Sequence, residues 1–139
     1  MVEIIATTLM LLLAPVQPLL TKDDLALWEA VRQQRFIEEH NLQKVRLSCY
    51  VAEPGARCAD GTIPYEGEIS CNWEHMGQTC IMYDLQTLEQ VAVWECHDVG
   101  GNILLQRGEA IDVYRDSLER CYELVGQYGD YVYIEWLDE

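Results

Sequence analysis

The chain has 139 residues, and its 24 acidic against 9 basic residues give a formal net charge of −15. This length accommodates one domain with an appendage and one modest hydrophobic core. The negative charge argues against nucleic acid, whose affinity depends on Lys and Arg neutralising phosphates, and against electrostatic docking on anionic lipid. A neutral or weakly charged polymer, such as a glycan strand, remains compatible with it.

The N-terminal segment is apolar from Ile4 to Leu20, with threonines, prolines and one glutamine interrupting it. This pattern predicts that residues 1–20 are a signal peptide or a short membrane anchor, which would place the protein in a secreted or extracytoplasmic location. Glu3 stands where a signal peptide usually carries Lys or Arg. A buried helix or a hydrophobic docking segment is the alternative.

A helix start follows this segment, because Thr21 precedes an acid, Asp24, by three residues. Leu27, Trp28 and Val31 then recur at helical spacing. We predict an amphipathic helix over about residues 22–41, in an appendage of residues 21–44 that packs on the next domain or acts as a spacer from a membrane. Because its polar face is mixed and not rich in Lys and Arg, we expect the apolar face to pack on the next domain and not to lie on a membrane.

The sequence changes to short β-rich pieces from Val45 onward, with turns at Glu53-Pro54-Gly55 and Asp60-Gly61. The predicted strands cover residues 45–52, 68–71, 79–83, 90–96, 110–114 and 131–136. One further helix is predicted at about residues 116–127, where apolar side chains share one face. Many short strands with one helix predict a small, mainly β barrel in residues 45–139.

Six cysteines follow the apolar segment: Cys49, Cys58, Cys71, Cys80, Cys96 and Cys121. An even count in a small exported domain predicts disulfides, and the lack of a Cys-x-x-Cys pair argues against zinc-ribbon and thioredoxin-type sites. Many pairings are open. Cys49–Cys58 and Cys71–Cys80 would each close a hairpin-sized loop, and Cys96–Cys121 would then close a loop worth roughly 3 kcal/mol. In a cytosolic protein all six would be buried thiols.

Two aspartates lie in settings that indicate chemistry. Asp98 follows the strand-forming residues 91–96 and precedes Gly100 and Gly101, where the backbone can turn sharply or approach a ligand closely. Asp112 lies inside the apolar run of residues 110–114. If Asp112 faces a cleft, desolvation raises its pKa and makes it a candidate general acid; a solvent-facing carboxylate is the alternative.

These motifs resemble the core of the 3D domain family, which is named for three aspartates. Its members include the catalytic barrel of membrane-bound lytic transglycosylase A and secreted stationary-phase wall enzymes of spore-forming bacteria. The matching pieces, in chain order, are Asp98-Val99-Gly100-Gly101-Asn102-Ile103, Ile111-Asp112-Val113-Tyr114, the helix of residues 117–128, Gly129 and the strand of residues 131–134. The resemblance implies a six-stranded double-psi β-barrel with one short helix.

The resemblance also implies a lytic transglycosylase that needs no cofactor and cuts peptidoglycan between N-acetylmuramic acid and N-acetylglucosamine, in a bacterial or phage setting. Asp112 would be the catalytic acid and then the base, while the C6 hydroxyl of muramic acid closes a 1,6-anhydro ring. Asp98 would orient Asp112 or bind sugar. One acid suffices because the intramolecular nucleophile replaces the second carboxylate of a hydrolase, provided that the acid stays protonated in a poorly solvated site.

Several residues near the two motifs are candidates for substrate binding. They are Asn72, Gly100, Gly101, Tyr50, Trp73 and Tyr114. The two glycines offer backbone N–H groups, Asn72 offers an amide where the family has its first aspartate, and the aromatic rings either stack on sugars or pack in the core. No grouping of histidines in the sequence predicts a metal site.

Two further functions remain open beside the enzyme. One is a non-catalytic glycan-binding barrel that remodels the wall, as expansin-like relatives do, and the other is a disulfide-braced structural component of a wall or virion. Asn72 and the long loop of residues 104–109 favour the binding barrel. The presence of both Asp98 and Asp112 favours the enzyme.

Overall fold

A computed structural model describes residues 19–137 of the chain. The predicted signal peptide or anchor at residues 1–20 lies outside the described residues, except for its last two. Within the described part, no helix combines the length and apolarity that a membrane crossing needs. The described residues form two compact units, residues 19–36 and residues 37–137.

Helix α1 spans Lys22–Glu39. At its start the Thr21 hydroxyl accepts from the Asp24 N–H at 3.1 Å, and the Asp24 carboxylate accepts from the Thr21 N–H at 3.0 Å. This reciprocal capping box satisfies two backbone donors that a helix start otherwise leaves free. Shortly after the helix, Asn41 takes a left-handed conformation (φ 49°), which asparagine tolerates better than most residues.

The second unit contains a closed six-stranded barrel with strand order β1-β5-β2-β4-β3-β6. The strands are β1 Gln43–Tyr50, β2 Glu68–Cys71, β3 Thr79–Tyr83, β4 Gln90–Val99, β5 Ala110–Tyr114 and β6 Tyr131–Trp136. A 3₁₀ helix spans Trp73–His75, and two helices follow, α2 Ile103–Gln106 and α3 Leu118–Tyr128. The prediction of a small, mainly β barrel is confirmed. The domain has a 3₁₀ helix and α2 in addition to the one helix that the sequence predicted.

Strand alternation builds the core, because every strand sends two alternate side chains inward. These core residues are Val45 and Leu47, Ile69 and Cys71, Cys80 and Met82, Trp94 and Cys96, Ile111 and Val113, and Val132 and Ile134. Leu124 of α3 joins them. Burial of each large apolar side chain stabilises the fold by about 1.5–3 kcal/mol, so the core determines which face of each strand points outward.

The strand pairing is unchanged when the first three strands are exchanged with the last three. β1 lies parallel to β5 just as β4 lies parallel to β2, and β1 lies antiparallel to β6 just as β4 lies antiparallel to β3. The antiparallel pairs β2/β5 and β3/β6 join the two halves. Two halves of the same topology therefore interlock, with β2 and β5 side by side where the halves meet.

Two disulfides are present, Cys49–Cys121 and Cys71–Cys96, whereas Cys58 and Cys80 are buried free thiols. The pairings Cys49–Cys58, Cys71–Cys80 and Cys96–Cys121 are therefore wrong. The cause is topology: β2 is hydrogen-bonded to β4 and not to β3, and α3 packs on β1. Two disulfides are compatible with an extracellular protein.

We expect loss of the Cys49–Cys121 bond to destabilise the protein more than loss of the Cys71–Cys96 bond, because it spans 72 residues against 25. Chain entropy predicts about 4.4 against about 3.5 kcal/mol. Urea unfolding of the two double alanine variants measures the difference, and an equal or reversed order would contradict it. As a control, thiol titration of the unfolded, unreduced protein should detect Cys58 and Cys80 alone.

Candidate functional site

The two predicted catalytic aspartates lie in one row of side chains across four neighbouring strands. Ser48 of β1 is opposite Asp112 of β5, Asp112 is opposite Ser70 of β2, and Ser70 is opposite Asp98 of β4. Neighbouring strands lie about 4.8 Å apart, so the backbones of Asp98 and Asp112 are separated by roughly 10 Å. We call these four residues the Ser48–Asp98 row.

A register shift places Asp98 in this row. The β2/β4 pair runs from Ile69 opposite Cys96 directly to Ser70 opposite Asp98, so His97 is the extra residue of a bulge. A bulge re-aims the side chains beyond it. Without the extra residue, His97 would stand opposite Ser70 and Asp98 would face the other side of the sheet.

Asp112 has a desolvated position and one defined partner. Ile111 and Val113 on either side of it point into the core, and the Ser48 hydroxyl donates to Asp112 Oδ1 at 2.9 Å. Burial raises the pKa of Asp112; the Ser48 hydrogen bond opposes this rise and the negative charge of Asp98 adds to it. The net direction is upward, as a general acid working near neutral pH requires.

Asp98 fastens the loop between β1 and β2, residues 51–67, to the end of β4. Its Oδ1 accepts from the Ala59 N–H at 2.9 Å and from the Val99 N–H at 2.9 Å. Its Oδ2 lies 3.4 Å from the Tyr50 hydroxyl. This carboxylate is therefore held in place by groups of its own chain.

A further carboxyl group, Glu68, lies beside the row and was missed in the sequence. Glu68 is 0% exposed, its Oε1 lies 2.5 Å from the Tyr50 hydroxyl, and its Oε2 has no hydrogen-bond partner. Burial raises the pKa of Glu68, and it raises the pKa of Tyr50 as well. A glutamate at the start of a strand predicts a solvated side chain, so only the tertiary structure distinguishes this one.

The free thiol of Cys58 faces the same buried acid. Burial raises the pKa of Cys58 to about 12, and the negative potential of Glu68 contributes in the same direction. Reactive cysteines need a stabilised thiolate. Burial and the neighbouring acid therefore both favour the neutral thiol of Cys58.

His97, the bulge residue, links the β1–β2 loop to β4 through two carboxylates. Its Nδ1 lies 2.6 Å from Asp60 Oδ2 and its Nε2 lies 3.0 Å from Glu95 Oε2. A carboxylate only accepts, so both ring nitrogens donate when the imidazole is protonated. Burial lowers the pKa of His97, but the hydrogen bonds to Glu95 and Asp60 outweigh it and raise the pKa overall.

Three of the predicted substrate-binding residues lie together in a cavity of about 270 Å³, where β2 and β4 end. They are Asn72, Trp73 and Gly100. The Trp73 side chain is 68% exposed, and Asn72 Oδ1 is buried without a hydrogen-bond partner. A Cβ at Gly100 would overlap the end of the buried Leu105 side chain, so a larger residue there would displace this part of α2.

The remaining candidates have different surroundings. Tyr50 and Tyr114 contact each other edge to face, with ring centroids 5.6 Å apart, next to the Ser48–Asp98 row. The Tyr50 hydroxyl is engaged by Glu68 and Asp98, which leaves Trp73 as the more accessible aromatic platform. Gly101 is exposed, with open space where a side chain would be.

Comparisons with known proteins find no family model and no curated protein that matches the chain. In residues 19–137 no three His, Cys, Asp or Glu side chains are arranged to hold a metal ion. The chemistry of the site is therefore inferred from its own geometry.

We expect folding stability to fall as the pH rises above the ordinary histidine value of 6.5 through the raised pKa of His97. The bonds to Asp60 and Glu95 stabilise the protonated ring, so their contribution is complete at lower pH and disappears on deprotonation. Urea unfolding across this range should show the decline in the native protein and a flatter profile in His97→Gln. A His75→Gln control leaves the His97 contacts intact and should keep the decline; an unchanged profile in His97→Gln would contradict the assignment.

Proposed function

We propose that the protein is a lytic transglycosylase-type lyase of the peptidoglycan glycan strand, with Asp112 as its acid/base. The observation that supports this most directly is the setting of Asp112, which is partly buried, has a raised pKa and lies in one row with a second aspartate. An acid for glycosidic bond cleavage must hold its proton near neutral pH, and desolvation supplies that condition.

The proposed reaction needs one carboxyl group in two successive roles. Neutral Asp112 gives its proton to the glycosidic oxygen while the bond from that oxygen to C1 of muramic acid breaks. The resulting carboxylate takes the proton of the C6 hydroxyl while O6 bonds to C1, which forms the 1,6-anhydro ring and restores the acid. No water is consumed, and the positioned C6 hydroxyl supplies a high effective molarity.

Asp98 and the Asn72–Trp73 cavity have supporting roles in this proposal. The charge of Asp98 favours the protonated form of Asp112, and a negative charge also stabilises an oxocarbenium-like transition state. The cavity is lined by Val99, the residue directly after Asp98, and by Cys71, the residue directly after Ser70, so a glycan strand that reaches the row can extend into it. There the exposed Trp73 indole packs on a sugar face, and the Asn72 side chain lines the same cavity.

We also propose that the barrel is of the double-psi type and that the chain belongs with the 3D domain proteins. Two interlocked halves, each contributing one strand to each of two parallel pairs, support this topology. The peptidoglycan partner agrees with the two disulfides, which suit an exported protein, and with the net charge of −15, which disfavours polyanions.

We expect Asp112→Asn to reduce the release of 1,6-anhydromuropeptides from purified peptidoglycan by about 10²–10⁴-fold, because the amide cannot donate and recover a proton. Mass spectrometry of the soluble products measures the loss. Asp116→Asn is the matched control, since its carboxylate is exposed and lies outside the row. Full activity in Asp112→Asn would reassign the acid.

We expect Ser48→Ala to move the alkaline limb of the pH–rate profile to higher pH. The Ser48 hydrogen bond lowers the pKa of Asp112, so its removal lets the acid keep its proton further into the alkaline range. Ser48→Thr retains the hydroxyl and should keep the native profile. If the alkaline limb does not move in Ser48→Ala, the ionisation that it reports belongs to a group other than Asp112.

A glycan-binding barrel without catalysis is the second candidate, and the engagement of Asp98 favours it. Both oxygens of Asp98 contact groups of the chain itself, from Ala59, Val99 and Tyr50. Co-sedimentation with insoluble peptidoglycan distinguishes the two candidates when combined with the product assay. Binding that depends on Trp73 but releases no 1,6-anhydro product would support the binding barrel.

A further inference from the structure

The Tyr50 hydroxyl has more acceptors around it than its one proton can serve. It lies 2.5 Å from Glu68 Oε1 and 3.4 Å from Asp98 Oδ2. A hydroxyl donates one proton and accepts through two lone pairs, whereas an ionised carboxylate only accepts. If Glu68 and Asp98 were both ionised, one of the two contacts would bring two oxygen atoms together without a proton between them.

The surroundings of Glu68 identify it as the carboxyl group that carries the extra proton. It is completely buried, and one of its oxygens has no partner, which is far less costly for a neutral acid than for a carboxylate. Asp98, by contrast, receives two backbone N–H groups and is partly exposed, as suits an ionised carboxylate.

The groups that face Glu68 come from three elements. They are Tyr50 of β1, Cys58 and Tyr65 of the β1–β2 loop, and Glu95, His97 and Asp98 of β4, with Glu95 as its partner in register. Among them His97 is the cation that acts on Glu68, and its two ring nitrogens are bound to Asp60 and Glu95. Its charge is thus already shared by two other carboxylates.

We propose that Glu68 is a positioning residue that works as a neutral acid: it donates its Oε1 proton to Tyr50, and Tyr50 donates its own proton to Asp98. The chain of two hydrogen bonds keeps the negative charge on Asp98, in the row with Asp112. The protonation of Glu68 is independent of catalysis, while its effect on the acid of a lyase rests on the proposed function.

The protonation state can be measured on the full chain without any substrate. Protein labelled with ¹³C at the side-chain carboxyl groups is titrated by NMR, and Glu68→Gln identifies the Glu68 signal by its loss. We expect Glu68 to show the acid form at a pH at which the exposed carboxyl groups of the chain already show the ionised form. An ionised Glu68 signal at that pH would overturn the proposal.

The direction of the hydrogen bonds is tested by the titration midpoint of Asp112. Tyr50→Phe removes the proton donated to Asp98 and so makes the ionised form of Asp98 less stable. Because the negative charge of Asp98 raises the pKa of Asp112, the Asp112 midpoint should move toward lower pH. Tyr114→Phe is the matched control, because this ring contacts Tyr50 but its hydroxyl lies outside the chain of bonds. An Asp112 midpoint that is the same in Tyr50→Phe and in the native protein would overturn the coupling.

Glu68→Gln gives a second test that does not depend on the folding of Tyr50→Phe. The glutamine amide can donate to Tyr50 as the neutral acid does, so the Asp112 midpoint should stay at its native value. If Glu68 is ionised in the native protein, this substitution removes a negative charge and the midpoint falls. A fall would therefore overturn the proposal, and an unchanged midpoint supports it.

Different results would refute the positioning role of Glu68 and the proposed lyase activity. A native protein that releases no 1,6-anhydro product but has a neutral Glu68 and a coupled Asp112 refutes the lyase and retains the hydrogen-bond chain. In an active protein, Tyr50→Phe should shift the alkaline limb of the kcat profile toward lower pH, as it shifts the Asp112 midpoint. A limb that does not move would overturn the positioning role.

Discussion

The insertion of β2 between β5 and β4 is the constraint on which the site depends. Because β2 pairs with both strands, Ser70 lies opposite Asp112 on one side and opposite Asp98 on the other. The bulge at His97 shifts the register by one residue, and a shift of one residue turns every later side chain to the opposite face. A core strand and a single bulge thereby bring together two carboxyl groups that are distant in the chain.

Burial of acids in an already acidic protein is the second organising feature. Placing Glu68 and Asp112 out of water disfavours their charged forms, and each additional negative charge nearby increases that effect. Only Asp98 among the three has the backbone donors that suit a carboxylate. Burial thus disfavours the charged forms of Glu68 and Asp112, whereas backbone N–H groups hold the Asp98 side chain in place.

The β1–β2 loop, residues 51–67, is part of the site and not a passive connection. It provides the Ala59 N–H to Asp98, the Asp60 carboxylate to His97 and the Cys58 thiol over Glu68. At its far end Glu66 forms ion pairs with Arg115 and Arg120, which join it to the end of β5 and to α3. The contacts of this loop therefore bury the acids and also connect the loop to β4, to the end of β5 and to α3.

The sequence by itself determined the barrel's strands, several to the residue, because alternation and turn residues act locally; it also indicated Asp98 and Asp112 through their apolar and glycine neighbours. Local patterns do not encode which strands become neighbours. That is why the sequence left the cysteine pairing open, with the short-loop pairs it considered absent from the structure, and why Glu68 was missed, since its burial arises from Tyr50 and Cys58 packing over it. Only the closed tertiary pairing decided these features, because it depends on contacts between residues far apart in the chain.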